Sequence, residues 1–290
     1  MTSATRAVSL DKPAGLPLAP IFAAALKHGL LLLFAAIILL PFVWMILAAV
    51  KDPADIFSDP FSIDPAKMRT AEHFGKALSA APMGLFMLNS LIVVVGVLSV
   101  QLVTSIGAAY ALAQMKFRGQ ALLFGLVLFA LCIPVQVPAL PMYIALAKLG
   151  LLNSYFALMF PWFFSAFAIF LFRQHFRTFP QEIINAARID GFTEIEIVLR
   201  LIVPSALPAI AAFSVFSVTA HWNDLYWPLI VVNVTDRMTA PLGLLNFQSA
   251  EGVSYGPLMA AATIITLPLI CVFLLARRCF VEGVTMTGVK

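Results

Sequence analysis

One acidic residue, Asp224, interrupts the apolar stretch 205–234, and it stands in the run His221-Trp222-Asn223-Asp224. A carboxylate beside an amide and an imidazole could move a proton, or hold a polar solute by hydrogen bonds. Ionisable groups inside apolar stretches face a cavity or a partner by default. Counted from Ala206 at 1.5 Å per residue, Asp224 lies roughly 27 Å along its helix, near one edge of a bilayer. An equally simple reading is therefore an interfacial carboxylate that ends a helix, with Trp222 and Trp227 as belt anchors and Pro228 as the break. Asn223 is open to the same two readings, and His221 reads as a packing residue. A second set is Gln136 and Tyr143, among Pro134, Pro138 and Pro141. Each proline frees a carbonyl and bends its helix, and broken helices tend to line cavities, although a kink can also serve packing alone. Trp162 and Phe163 could stack on sugar rings or simply anchor a helix at belt depth.

Beyond these, no Ser/His/Asp, metal-ligand or paired-carboxylate cluster stands out. No GxxxxGK[ST] phosphate loop occurs; Gly75-Lys76 is followed by Ala77. Cys132, Cys271 and Cys279 lie in or beside apolar runs without paired spacing, so structural thiols are expected.

The elements that must position these residues follow from composition. The chain is 62% hydrophobic and 11% charged, with 25 Phe and a mean hydropathy of +0.99. That leaves too little polar surface to face water, so the solvent is lipid. Stretches free of Asp, Glu, Lys and Arg run 28–50, 77–115, 119–147, 149–172 and 252–276. Each exceeds the roughly 20 residues that cross a bilayer as helix. With 205–234 the expectation is an all-α polytopic membrane protein with six transmembrane helices, at about 28–50, 88–113, 121–147, 155–172, 206–234 and 256–276. Residues 77–87, with Pro82 and Gly84, read as an interfacial lead-in. The first run is too long for a cleavable signal.

Six spans place both termini on one side. That side receives Arg6, Lys12, Lys27, Lys116, Arg118, Arg173, Arg177, Arg188, Arg200, Arg277, Arg278 and Lys290; the other receives Lys51, Lys67, Arg69, Lys76, Lys148 and Arg237. The twofold bias makes the first side cytoplasmic, with tails 1–27 and 277–290 and a loop 173–205.

That loop carries the densest local signals. Thr178 and Gln181 form a possible capping box, with Pro180 in the first turn, for a helix running to about Asp190. Gly191 supplies a left-handed stop, and Thr193 with Glu196 forms a second box. Ile195, Val198, Leu199 and Ile202 then share one face, up to Pro204. Helix, glycine turn, helix is thus expected. It could lie on the membrane surface, read nucleic acid, or dock on a protein. With Arg188 and Arg200 alone for phosphates, nucleic acid is the poorest fit. Docking would use small Ala186 and Ala187 for close approach and Phe192 as an exposed aromatic anchor.

The segment PQEIINAARIDGFTEIEIVLRLIVPSALP (180–208) resembles the "EAA" loop of permease subunits of bacterial ATP-binding-cassette importers, most closely the maltose-type carbohydrate-uptake group. Pro180, Glu182, Ala186, Ala187, Ile189, Asp190, Gly191, Pro204 and Pro208 carry the match; where the family has its eponymous glutamate this chain has Asn185, which hydrogen-bonds but lacks charge. Segments 89–120, 133–161 and 222–229 look similar to the same family. The resemblance implies a type I importer permease fold whose cytoplasmic helix-turn-helix couples to ATPases through Glu182, Asn185, Ala186, Ala187, Arg188, Asp190, Gly191, Phe192 and Thr193. A tail contact through Thr287, Gly288 and Val289 is implied as well. The implied protein is a non-catalytic permease in a bacterial inner membrane. It binds no cofactor itself, ATP and Mg being used by two partner ATPase subunits. Its other partners would be a second, non-identical permease and a periplasmic solute-binding protein, with no nucleic acid. The cargo would be a carbohydrate or a related polyol or glycerol derivative. A stand-alone secondary transporter is the alternative, although intramembrane carboxylate ladders are lacking. The proline-rich segment 51–80 reads as a polar, partly structured outer loop that could meet the delivery protein.

Overall fold

The computed structural model describes residues 18–249 and 252–285, with side chains over 22–248 and 252–275. The expected contacts of Thr287, Gly288 and Val289 lie outside the described residues, as does the side chain of Cys279. Among the described residues, three helices are long and apolar enough to cross a membrane: α1 (Leu18–Val50), the helix Met83–Gln114, and the Tyr255–Leu275 part of the last helix. Two further crossings are bent pairs, so the number is up to five, and two shorter apolar helices remain.

Residues 51–80 are more folded than a polar loop. Thr70–Ser79 forms α2, which buries Ala77 and His73; the ring Nδ1 of His73 lies 3.1 Å from the carbonyl of Ala49. Lys67 pairs with Asp55 at 3.2 Å, Arg69 with Asp52 at 3.3 Å and Lys76 with Glu72 at 2.8 Å. Helix α3 (Met83–Gln114) begins five residues before the expected Leu88, because Pro82 sits at the N-cap, where its missing amide is not needed, and there is no separate lead-in. Ser90, Val94, Val97, Gln101, Ser105, Ala109 and Leu112 form its buried stripe at three- and four-residue spacing.

The expected single span 121–147 is instead two helices, α4 (Gln120–Leu131) and α5 (Ala139–Lys148). Between them Pro134 and Pro138 lack amides, and the chain closes three-residue turns, Cys132 to Phe129 and Ile133 to Ala130. The span expected at 155–172 is bent by 44° between Tyr155–Trp162 and α6 (Ala166–Phe176). Ser154 and Ser165 accept the amides of Ala157 and Ala168, each at 3.1 Å, and so start both halves. In the loop 173–205, α7 spans Gln181–Ile189. Helix α8 (Leu207–Trp222) follows an 81° bend and stops well short of residue 234; Tyr226–Val231 is a separate short helix. Helix α9 spans Tyr255–Thr285. The all-α expectation is met apart from a minimal antiparallel pair, Gln248–Ser249 with Gly252–Val253.

The core falls into three clusters. One joins the ends of α1 and α2 to α3 and α9 around Phe86, Trp222 and Ala260. A second joins α3, α6 and the loop 173–205 around Tyr110, Phe172, Phe176, Ile184 and Ile197. A third surrounds Val97, Leu158 and Trp227. In the first, a Cβ added at Gly243 would overlap the ring of Phe86, which is fully buried. Gly243→Ala is therefore expected to cost about 1–3 kcal/mol through overpacking. A lowered thermal midpoint in detergent micelles tests this, and an unchanged midpoint would refute it.

Candidate functional site

Helix α7 is amphipathic: Ile184 and Ala187 are buried, whereas Glu182, Asn185, Ala186 and Ile189 are exposed at three- and four-residue spacing. The first expected capping box is absent. The Thr178 hydroxyl donates to the carbonyl of His175, and Pro180 rather than Thr178 occupies the N-cap, without a side-chain bond to α7. At the other end the expectation holds. Gly191 adopts φ +87°, its amide donates to Arg188, and the Phe192 amide donates to Ala187. These two bonds satisfy carbonyls that the helix end leaves orphaned. The second box is complete: Thr193 accepts the Glu196 amide at 3.3 Å while Glu196 accepts the Thr193 amide at 3.0 Å.

Across the glycine turn, Glu194 binds Arg188 in a two-pronged pair, Nε to Oε1 at 2.7 Å and Nη2 to Oε2 at 3.2 Å. The buried Tyr110 of α3 donates its hydroxyl to the same Oε2 at 2.5 Å. Arg188 first, and then Tyr110, holds the Glu194 carboxyl below its ordinary value of 4.5. A lowered carboxylate value means that the contribution of the pair is complete above pH 4.5 and fades as pH falls through the lower folded value. Neither Tyr110 nor Glu194 had been singled out, and nothing local in the sequence joins residues 84 positions apart.

Phe192 is not the free-standing plug expected. It is half-buried against the second core cluster, with the guanidinium of Arg200 5.6 Å from its ring centre. The exposed apolar tips are instead Ile189, 87% exposed, and Ile195, 72% exposed, on either side of the turn. Nor do Ile195, Val198, Leu199 and Ile202 share one buried face. Glu194–Ile197 is α-helical, but Val198–Ile202 is a π-turn, and that extra residue rephases the face so that Ile197 and Ile202 are buried while Leu199 is exposed.

Within the apolar body, a cavity of about 570 Å³ is lined by Gln101, Trp162, Ser165, Ser217 and His221 among apolar and aromatic residues. Gln101 organises it: its amide nitrogen donates to the carbonyl of Trp162 at 2.8 Å and lies 3.2 Å from Nε2 of His221, while its oxygen accepts from Ser217 at 2.6 Å. The Trp162 and His221 rings lie 5.0 Å apart. His221, read as packing, thus borders open space. A lone Gln on an apolar helix stripe was the signal that could have pointed here.

Gln136 and Tyr143 come together on a smaller cleft of about 320 Å³, with Tyr226. Asn223 and Asp224 line neither cavity. Asp224 sits in the break after α8 and accepts the Trp227 amide at 3.2 Å, which starts the next helix; Asn223 donates to the carbonyl of Thr219 at 2.9 Å. Both bond to the backbone, and Trp222 and Trp227, expected as belt anchors, are instead buried and donate to the carbonyls of Ile265 and Ala157. Cys132 and Cys271 are exposed on the apolar surface rather than packed inside.

Residues 101–285 match the family model described as binding-protein-dependent transport system inner membrane component. The chain is 32% identical over 261 residues to the arabinooligosaccharides transport system permease protein AraQ of Halalkalibacterium halodurans, covering 88% of this chain and 92% of the relative. It is 32% identical over 263 residues to the sn-glycerol-3-phosphate transport system permease protein UgpE of Yersinia pestis, covering 88% and 94%. The diacetylchitobiose uptake system permease protein NgcG of Streptomyces coelicolor is 30% identical over 259 residues, covering 88% and 85%. In fold, the chain is similar to a chain in the crystal structure of a bacterial ABC transporter involved in the import of the acidic polysaccharide alginate. The TM-score is 0.78 at 20% identity, with 92% of this chain and 99% of that one covered.

The Thr193–Glu196 box should account for about 1 kcal/mol of loop stability. Thr193→Ala is expected to speed hydrogen exchange of the Glu196 amide about fivefold, as the free-energy difference requires. Unchanged exchange would show that the box does not hold the turn.

Proposed function

The chain belongs to the binding-protein-dependent transport system inner membrane component family, and on that premise we propose that it moves a neutral, hydroxyl-rich solute, of the carbohydrate class, into the cell. As a member it is the translocation-pathway subunit of an ATP-driven importer and leaves ATP hydrolysis to a separate subunit. Six crossings are proposed, with α4 and α5 forming one broken crossing beside the three long helices and two bent pairs. Both termini and the 173–205 loop are then cytoplasmic, in keeping with the Lys and Arg bias. A second, non-identical permease would cover the exposed face of α1, whose described leucines and phenylalanines are largely exposed. Two ATPase subunits carrying ATP and Mg would lie below, a solute-binding protein would meet the outer face, and the tail at Thr287, Gly288 and Val289 would reach the ATPases.

The observation that carries the coupling reading is a stiff helix end that presents apolar Ile189 to solvent at 87% exposure, beside exposed Glu182, Asn185 and Ala186. An apolar tip ringed by polar groups suits a pocket on a partner. Motion of that pocket on nucleotide binding would turn the loop and alternate access to the pathway.

The cargo class rests on the larger cavity. Its described lining has hydroxyl, amide and imidazole groups beside Trp162 and carries no Asp, Glu, Lys or Arg. Those groups suit sugar hydroxyls and the apolar face of a sugar ring, whereas a phosphate calls for a cation. The relatives span both chemistries by name, arabinooligosaccharides and sn-glycerol-3-phosphate.

Ile189→Asp is expected to lower the amount of ATPase co-purified with tagged protein at least tenfold, with membrane abundance unchanged. Retention of the ATPase would remove the loop from the interface. With the partner subunits in proteoliposomes, Trp162→Ala is expected to reduce uptake of a labelled neutral oligosaccharide more than fivefold. Uptake of sn-glycerol 3-phosphate in preference to neutral sugars would overturn the cargo assignment.

A further inference from the structure

One face of the second half of the loop packs into the second core cluster through Ile197 and Ile202, but its other face stands off α3. An apolar groove of about 430 Å³ opens between residues 194–203 and the last turns of α3, with Ile195 and Leu199 on one wall and Val103 and Ile106 on the other. Apolar walls that stand apart resist sliding weakly, because dispersion contact is non-directional and falls off within an ångström of separation. Tyr110 and Glu194 also line this groove, and the hydrogen bond between them crosses it at 2.5 Å. A bond from a hydroxyl to a carboxylate is charge-assisted and directional. Arg188 fixes the other side of that carboxylate, so α7, the glycine turn, Glu194 and α3 are joined in one polar chain.

Farther back along α3 lies the residue that gives the chain a role. Gln101 sits nine residues from Tyr110 on the same helix, about 13 Å along its axis and on its opposite side. It holds Ser217 of α8 and the carbonyl of Trp162, both at the larger cavity. At the loop end, Gln114 ties α3 to the carbonyl of Phe176, and Arg173 Nε donates to the carbonyl of Leu112. Helix α3 is thus clamped at its middle and at its loop end, and the clamp at Tyr110 is the hydrogen bond that reaches the second loop helix.

We infer that Tyr110 is a positioning residue: its hydroxyl, bonded to Glu194, is the strut through which displacement of the cytoplasmic loop is delivered to α3 and so to the Gln101 cluster at the cavity. Packing alone does not call for this hydroxyl, since Phe would fill the same buried volume without setting a polar group beside a carboxylate. The role rests on the importer reading above, which supplies the displacement.

The test needs no knowledge of the cargo. Val135, 49% exposed, lines the cavity. In a background with Cys132→Ser, Cys271→Ser and Cys279→Ser, a Val135→Cys chain is assembled with its partner subunits in proteoliposomes. Its labelling by N-ethylmaleimide is then timed without nucleotide and with ATP plus vanadate. With Tyr110 present, the two rates differ. Tyr110→Phe is expected to shrink that difference at least fivefold, with the nucleotide-free rate and the co-purified ATPase unchanged. Glu194→Gln should do the same, and the double variant should be no worse than either single one, because both changes break one bond. A full nucleotide response in Tyr110→Phe overturns the strut. Loss of ATPase from the complex also overturns it, since the residue would then serve docking. If the Tyr110 parent neither retains ATPase nor responds to nucleotide, the importer reading itself fails, a result distinct from either of these.

Discussion

Lipid supplies no hydrogen bonds, so each amide and carbonyl that enters it must find a partner inside the protein. The rest of the structure follows from that constraint. Helices α1 and α3, apolar over most of their length, run unbroken, α1 even through Pro41. Where Pro134 and Pro138 remove amides the helix stops, and at this and the other breaks the ends are satisfied by other means. Ser154 and Ser165 cap new helices, and Asp224 accepts the Trp227 amide. The carbonyl of Leu112 receives both Gln120 and Arg173. The breaks between α4 and α5, and within the crossing that ends in α6, border the same large cavity. Interrupted helices are the cost of placing polar groups at depth.

The loop 173–205 and this cavity are therefore parts of one design. The loop is held stiff by bonds local in sequence, the Gly191 turn and the Thr193–Glu196 box, and attached to the body by bonds remote in sequence, Tyr110 to Glu194 and Gln114 to Phe176. A partner that grips Ile189 would act on a lever rather than on a hinge. Polar residues on the buried stripe of α3, and not its apolar ones, decide what that lever moves.

Much of this was legible before any coordinates. Long uncharged runs and the Gly191 stop need only local information, because helix formation and capping depend on neighbours within four residues. The same locality explains the misses. Thr178 and Pro180 satisfied a pattern, but two helix starts competed, and Pro180 took the N-cap while Thr178 turned back to His175. Phe192 looked exposed because its neighbours in sequence are polar, whereas its neighbours in space belong to the second core cluster. Asp224 drew notice as a lone charge and serves as a helix start; Gln101, uncharged, passed unnoticed at the cavity wall. Pairings across 84 or 116 residues leave no trace in a short window.

The π-turn at Val198–Ile202 has one further bearing. A single surplus residue in a helix shifts everything beyond it by about 100° around the axis. Here that offset sits just before the 81° corner into α8. It acts as a phase setting: it determines which flank of α8 looks inward, and so why Ser217 and His221, four residues apart, both meet open space. Chains that lengthened or shortened this one turn would keep the same helices in the same places yet show a different side of α8 to whatever passes through.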